Sequence, residues 1–509
     1  MTKRLNIAMI SIHSCPLGML GGRDTGGMNV YIRELARELA KRGHTIDIYT
    51  KAHQPQHGPS INLGQNVRLI HLETGVDEDI PKLAIYDYIQ RLACGAENFR
   101  NYNQMQYDLI HSHYWLSGLI GRQLQTLWHV PHAVMFHTLG AVKNSIGIGE
   151  DEPELRIESE QEVVDSCDRI IASTAKERQD LIKHYGASPD KIAIIPCGVN
   201  LDLFKPIDKE IARKELGLDH QKVVLFVGRI EPLKGLEQLL GALNYIEGGK
   251  PPLLMIVGGD EYSQGRVQTL QRIAKELHIE DSVAFVGSVA QERLPLFYSA
   301  ADICAIPSYY ESFGMVALES LACGTPIVAT NVGNMRRIIR QSEMGRLAKD
   351  NSPHNLASEI SELLYHREDN EQHVKTRRDN MTEFSWATIA DRIFQEYDRL
   401  DDLTKQDTVT FYRPPVKARF TSLLNCSALK GLAICGTLVS DRNFSVSAAI
   451  TSPVMKTTLR ANDLAIFWIL PYNSTPLMPG ILISSNMRLY LLLSISFRAS
   501  SALSTVSTS

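Results

Sequence analysis

The sequence predicts an α/β protein of two similar halves, each a parallel sheet wrapped by helices, facing one another across a cleft. Three observations carry this. Short apolar runs alternate with amphipathic segments through residues 1–200. The alternation breaks at Pro196-Cys-Gly-Val-Asn-Leu-Asp-Leu-Phe-Lys-Pro206, which reads as a linker between domains. It then restarts and continues to about residue 385, so the second half matches the first in size.

The elements follow in order. Leu5–Ile12 is an apolar run suited to a buried strand. Residues 29–42 place Val30, Ile32, Leu35, Ala36, Leu39 and Ala40 at helical spacing and stop at Gly43. Thr45–Tyr49, Asp108–His111, Ala133–Phe136 and Arg169–Ala172 are further short strands, each with a helical pattern near it. In the second half, strands fall at Val223–Val227, Leu253–Val257, Val283–Val286, Ile303–Ile306 and Ile327–Ala329. Helical patterns at 235–246, 265–277, 293–300 and 314–322 lie between them. Residues 386–403 form a last amphipathic helix. After it the chain changes character: Ser, Leu, Thr and Ile dominate, and no Glu follows Glu396. The expected division is 1–200, 207–385, a final helix at 386–403, and an atypical tail at 410–509 outside the catalytic fold.

Composition narrows the function. A chain of 509 residues allows two to three domains at roughly 150 residues each. A net charge of −4 gives no basis for binding nucleic acid, and no run reaches the ~18 apolar residues of a membrane span. The N-terminus becomes a strand rather than a signal peptide. None of the eight cysteines forms a Cys-x-x-Cys pair, and several sit in apolar runs as reduced thiols do. A reducing cytoplasmic compartment and no zinc site are expected.

Three motifs carry the chemistry. The first, Gly21-Gly22-Arg23-Asp24-Thr25-Gly26-Gly27-Met28-Asn29, joins the first strand to its helix. Small residues there let a ligand approach the backbone, and the helix N-terminus offers N–H donors and partial positive charge, which suits a phosphate. Its spacing is not Gly-x-Gly-x-x-Gly, which counts against a dinucleotide oxidoreductase. The second, Gly228-Arg229-Ile230-Glu231-Pro232-Leu233-Lys234-Gly235, places two cations at the C-terminal edge of the second half's first strand. Open α/β sheets bind ligands at that edge, and two cations could neutralise a departing diphosphate. The third is Glu311, seven residues, then Glu319, with Ser312-Phe313-Gly314 leading into a helix. Their carboxylates can accept hydrogen bonds from sugar or ribose hydroxyls. His111, His113, Tyr114, Trp115, His137 and Thr138 follow strands in the first half. They suit sugar hydroxyls better than a metal, because no carboxylate is spaced to complete a ligand set. Asp77-Glu78-Asp79 reads as a solvated charge run.

Taken together, Gly-Gly-Met-Asn-Val-Tyr, Arg229…Lys234 and Glu311/Glu319 resemble retaining glycosyltransferases of family 4, which have the GT-B fold of two Rossmann-like domains. The resemblance covers about residues 4–403. Within the family, Asp24–Tyr31, His137-Thr138-Leu139 and Val142-Lys143-Asn144-Ser145 look closest to the D-inositol-3-phosphate glycosyltransferases of mycothiol synthesis, which use UDP-N-acetylglucosamine. Sucrose-phosphate synthases are near neighbours.

The resemblance implies that Gly27, Arg229, Lys234, Glu311 and Glu319 bind the nucleotide sugar, with Glu319 on the ribose and Glu311 facing the transferred sugar. His13, Asp24, Thr25, Gly26, Gly27, Met28, Asn29, Tyr114, Thr138 and Arg156 line the acceptor side. His137, Arg229, Lys234 and Glu311 form the catalytic set, with His137 orienting the sugar. It implies a UDP-sugar co-substrate, a small and phosphorylated acceptor, no metal or other cofactor, and room for a homodimer. One departure stands out. Asp77 occupies the place of a lysine that contacts the acceptor phosphate in those enzymes, and Lys82 and Lys143 are the candidates to compensate.

Overall fold

The computed structural model describes residues 3–18, 26–52, 60–76, 80–248, 251–260 and 263–410, together with five short strands beyond them. Residues 1–410 form one compact unit.

The first half of this unit is built on eight strands: β1 (Asn6–Ile10), β2 (Thr45–Lys51), β3 (Ser60–Gly64), β4 (Val67–Leu72), β5 (Leu109–His113), β6 (His132–Met135), β7 (Arg169–Ala172) and β8 (Ile192–Ile194). Their order across the sheet is β3-β4-β2-β1-β5-β6-β7-β8. All pairs are parallel except β3 with β4. The second half has six parallel strands: β9 (Val223–Val227), β10 (Leu253–Val257), β11 (Val283–Gly287), β12 (Ile303–Ile306), β13 (Ile327–Thr330) and β14 (Gly345–Ala348). Their order is β11-β10-β9-β12-β13-β14. In each sheet the order reverses direction beside the first strand, between β1 and β5 and between β9 and β12. Such reversal points leave a crevice at the carboxyl ends of the strands, and Gly26, Gly228–Gly235 and Glu311–Gly314 lie in the loops there.

The strands are apolar because both faces are covered. Ile7, Ala8, Met9 and Ile10 are fully buried, as are Val223, Val224 and Leu225. A single apolar cluster runs from β1 and its helix through the 195–204 linker into β9, the helix Met315–Ala322 and the last helix. The halves therefore share packing. The last helix returns to the first half: Tyr397 Oη lies 2.6 Å from His111 Nδ1, and Arg392 donates to the Ile194 carbonyl at 2.8 Å.

Most strands missed by periodicity lie on a sheet edge. β3, β8 and β14 span five, three and four residues and each ends its sheet, and the six-residue β4 between β3 and β2 is also unpredicted. The last helix runs over Trp386–Thr410, beyond the expected end at 403, because no Gly or Pro occurs before Pro414 to stop it. Residues 411–509 form a second compact unit. Described within it are antiparallel strands at Gly436–Leu438, Val446–Ala448, Ala465–Trp468, Gly480–Ile483 and Leu489–Leu492. No described helix is long and apolar enough to cross a membrane.

Candidate active site

The site is assembled from loops at the carboxyl ends of β1, β5 and β6 in the first half and β9 and β12 in the second. The helix Gly27–Lys41 starts against the helix Met315–Ala322: a Cβ at Gly27 would lie 3.4 Å from Met315 Sδ. Two helix N-termini, one from each half, thus meet at one place, and both favour an anion. Asn29 holds the first of them. It accepts from Ser14 Oγ at 2.8 Å and donates to the Cys15 carbonyl at 2.5 Å. Gly26 has extended backbone at φ −175°, and a Cβ there would meet nothing within 4 Å, so the fold itself does not require a glycine. Of the predicted loop residues, Gly26, Gly27, Met28 and Asn29 lie at this helix start, while Asp24 and Thr25 lie outside the described residues.

In the second half, Lys234 Nζ lies 2.7 Å from Glu311 Oε1, which also accepts from Ser308 Oγ at 2.8 Å. Gly235 makes this approach feasible. Its φ is +68°, and a Cβ would fall 2.2 Å from the Pro307 carbonyl oxygen, so no side chain fits between the two loops. Arg229 pairs with Glu231 at 3.0 Å and keeps 42% of its side-chain surface exposed, against 18% for Lys234. Glu319 sits inside the helix beyond, buried, accepting from Tyr298 Oη at 2.8 Å. Burial pushes its carboxyl up to about 7.

The first-half residues form an aromatic and cationic cluster. The His13 and Tyr114 rings stand 4.2 Å apart. The Arg156 guanidinium lies 4.9 Å and Lys82 Nζ 6.0 Å from the Tyr114 ring centre. Arg156 is 1% exposed, and its guanidinium is committed. It donates to Glu160 at 2.8 Å and to the Thr138 hydroxyl at 2.9 Å, and it pairs with Glu152 at 2.8 Å. Burial works against the Glu152 carboxylate, but Arg156 and Lys143 outweigh it and hold the group at about 2. Lys143 is spent on Glu152, whereas Lys82 stands beside Tyr114. The lysine position held by Asp77 lies outside the described residues.

His137 Nε2 lies 3.0 Å from His113 Nδ1, and burial pushes the His137 imidazole down to about 3, so it is neutral near pH 7. Tyr114 and His137 both hold left-handed backbone, at φ +76° and +61°. Such angles are uncommon for residues with side chains and gather at functional sites. Among the described residues, no three His, Cys, Asp or Glu side chains converge as a set able to hold a metal ion.

Three contributors had no sequence signal: Ser308, Tyr298 and the pair Ser173/Glu177. Ser173 Oγ lies 3.2 Å from the Ser312 carbonyl of the other half and donates to Glu177 at 2.6 Å. Glu177 follows its helix cap Thr174 by three residues and reads locally as an ordinary first-turn glutamate.

Residues 25–203 match the family described as Glycosyltransferase Family 4, and residues 208–380 match Glycosyl transferases group 1. The D-inositol 3-phosphate glycosyltransferase of Corynebacterium glutamicum is 38% identical over 405 residues, covering 77% of this chain and 96% of that protein. The enzyme of the same description from Corynebacterium efficiens is 37% identical, covering 77% and 95%. Among solved structures, the sucrose-phosphate synthase of Thermosynechococcus elongatus superposes with a TM-score of 0.72 at 32% identity, covering 79% of this chain and all of that one. With the two facing parallel sheets and their shared cleft, these likenesses settle the class: the chain belongs to glycosyltransferase family 4, has the GT-B fold, and is a hexose-transferring enzyme.

Proposed function

We propose that this enzyme moves a hexosyl unit, with retention of configuration, from a UDP-sugar to a small phosphorylated polyol. UDP-N-acetylglucosamine or UDP-glucose is the donor, and 1D-myo-inositol 3-phosphate is the preferred acceptor. The observation that carries the reading is the meeting of the two helix N-termini at Gly27 and Met315, on the same cleft edge as Arg229 and Lys234. Positive potential from both halves converges where a diphosphate would depart.

In the proposed step the acceptor hydroxyl oxygen attacks the anomeric carbon from the face the diphosphate leaves. The bond from that carbon to the diphosphate oxygen breaks, and its electron pair goes to the diphosphate. A phosphate oxygen of the leaving group takes the acceptor proton, so no dedicated base is needed. Arg229 and Lys234 stabilise the charge that develops, Glu319 takes the ribose hydroxyls, and Glu311 and His137 orient the transferred sugar. Two protein cations serve where other transferases use a divalent ion, so EDTA leaves the rate unchanged. On the acceptor side, Lys82 supplies the charge beside Tyr114 that Asp77 does not.

The test is UDP release from UDP-N-acetylglucosamine and UDP-glucose, each with and without 1D-myo-inositol 3-phosphate. Release that depends on the inositol phosphate is expected. A second reading, transfer to a hexose phosphate, draws on the 0.72 TM-score with sucrose-phosphate synthase. Release with fructose 6-phosphate but not with the inositol phosphate would establish it. No release with any sugar nucleotide sinks both.

A further inference from the structure

His137 does not stand alone. Its Nε2 is 3.0 Å from Nδ1 of His113, the last residue of β5. The Tyr31 ring packs edge-on against both, at 5.7 Å from His113 and 5.4 Å from His137. Behind His113, the His111 ring is 4.3 Å away and is held by Tyr397 of the last helix at 2.6 Å. His113 is fully buried and His137 half-buried. His113 Nε2 has no hydrogen-bond partner among the described residues. Burial, with His111 and His137 nearby, keeps His113 neutral, and burial keeps His137 neutral too.

Two neutral imidazoles share one N–H···N bond, and it can run either way. If His137 donated, the proton of His113 would sit on Nε2, a buried N–H with nothing to accept it. If His113 donates, only a lone pair is left unused at that position. An orphaned buried donor is the rarer and costlier arrangement. We propose that His113 is a positioning residue whose Nδ1–H donates to His137 Nε2. This fixes His137 as the tautomer that carries its own proton on Nδ1, the nitrogen left for the cleft, where it donates to a hydroxyl of the transferred sugar. The proposal rests on the reading of His137 as the sugar-orienting residue. It makes that residue a hydrogen-bond donor and excludes it as a base. Tyr31 packs on both rings and the Tyr397–His111 pair on His113, so the last helix contributes to the site without touching substrate.

The experiment uses the full chain labelled with 15N-histidine, with the His137 signals identified by their loss in His137→Gln. The expected result in the wild type is a protonated Nδ1 and a bare Nε2. A protonated Nε2 overturns the proposal whatever the kinetics show. The functional arm compares His113→Asn with His113→Asp. The two side chains have the same shape, but Asn keeps an N–H donor where the imidazole carries Nδ1, and a carboxylate only accepts. His113→Asn is expected to hold kcat within about tenfold of the wild type and to keep the His137 tautomer. His113→Asp is expected to lose at least about a hundredfold in kcat and to reverse the tautomer, while both bind UDP within about threefold of the wild type. Equal kcat losses in Asn and Asp variants that still bind UDP would overturn the proposal. Failure of the underlying reading looks different: His137→Ala keeps its rate, or the wild type binds no UDP, and the tautomer measurement still decides what His113 does.

Discussion

The two halves of the cleft handle charge in opposite ways. The second half keeps its cations on a loop at the sheet edge: Arg229 is 42% exposed and pairs with Glu231, and Lys234, 18% exposed, pairs with Glu311. The first half buries one of its cations and neutralises it. Arg156 is 1% exposed between Glu152 and Glu160, and the histidines beside it are uncharged. The difference follows from what each half must do. A leaving diphosphate gains charge during reaction, so the charge opposite it must be available. An acceptor needs shape and hydrogen-bond donors that are already fixed, and a buried, internally paired network supplies those.

That contrast breaks most sharply at Arg156. Arg156→Leu leaves the fully buried Glu160 without its cation, while Glu152 keeps Lys143, and removal of one member of a buried pair costs about 3–5 kcal/mol. The expected outcome is a large drop in Tm, with KM for the acceptor hard to measure because little folded protein remains. Thermal unfolding with and without UDP checks it. A variant as stable as the wild type would show Arg156 to be an open ligand instead of a strut.

Arg229→Ala and Lys234→Ala should behave in reverse. Both side chains are more exposed than that of Arg156, so Tm should move less. Loss of one preorganised charge at a developing anion lowers kcat by about 10²–10³, roughly 3–4 kcal/mol. Steady-state UDP release reads this directly. Near-wild-type rates in both variants would remove these residues from the site.

The same asymmetry governs what the sequence discloses. The second half's site is local: Arg229 and Lys234 lie on one loop, and Glu311 and Glu319 lie on either side of one helix start, so spacing alone brings them together. The alternation that gave both sheets is local too. The first half's site is dispersed. His13, Tyr114, Thr138 and Arg156 come from four separate loops or helices, and only the β3-β4-β2-β1-β5-β6-β7-β8 order makes them neighbours. Nothing in the residues around Arg156 signals that its charge is cancelled, since Glu152 and Glu160 are at the ordinary helical spacing of four and read as a solvated face. His113 was visible as a strand-end histidine, but its role depends on which nitrogen faces His137, and spacing carries no such information.

Glu319 sharpens the comparison on the pH axis, with a smaller effect. Burial raises its carboxyl from the ordinary 4.5 to about 7, so near neutrality the free enzyme holds it partly protonated. A raised carboxylic pKa favours the neutral form, and ionising it erodes stability as pH rises from 4.5 through about 7. Ribose hydroxyls donate to the carboxylate and favour the charged form. UDP binding should therefore tighten between pH 6 and pH 8 and release a proton, seen by calorimetry in buffers of different ionisation enthalpy. Glu319→Gln should lose this pH dependence and bind about tenfold more weakly, roughly 1.4 kcal/mol. An unchanged pH profile in that variant would place the titrating group elsewhere.

The smallest expected effect separates two lysines that the sequence leaves equivalent. Lys82 stands 6.0 Å from the Tyr114 ring centre, at the acceptor side, whereas Lys143 is bound to Glu152, itself a partner of Arg156. A single partly exposed charge facing a phosphate contributes about 1 kcal/mol. Lys82→Ala should accordingly raise the acceptor KM about fivefold and leave kcat and UDP affinity alone, because the diphosphate lies across the cleft. Lys143→Ala should leave KM near its starting value and lower Tm slightly, since Glu152 keeps Arg156. Steady-state kinetics with varied acceptor decides between them. If Lys143→Ala moves KM and Lys82→Ala does not, Lys143 must leave Glu152 when acceptor binds. The buried network around Arg156 would then open on acceptor binding, and the contrast between the halves would apply to the free enzyme only.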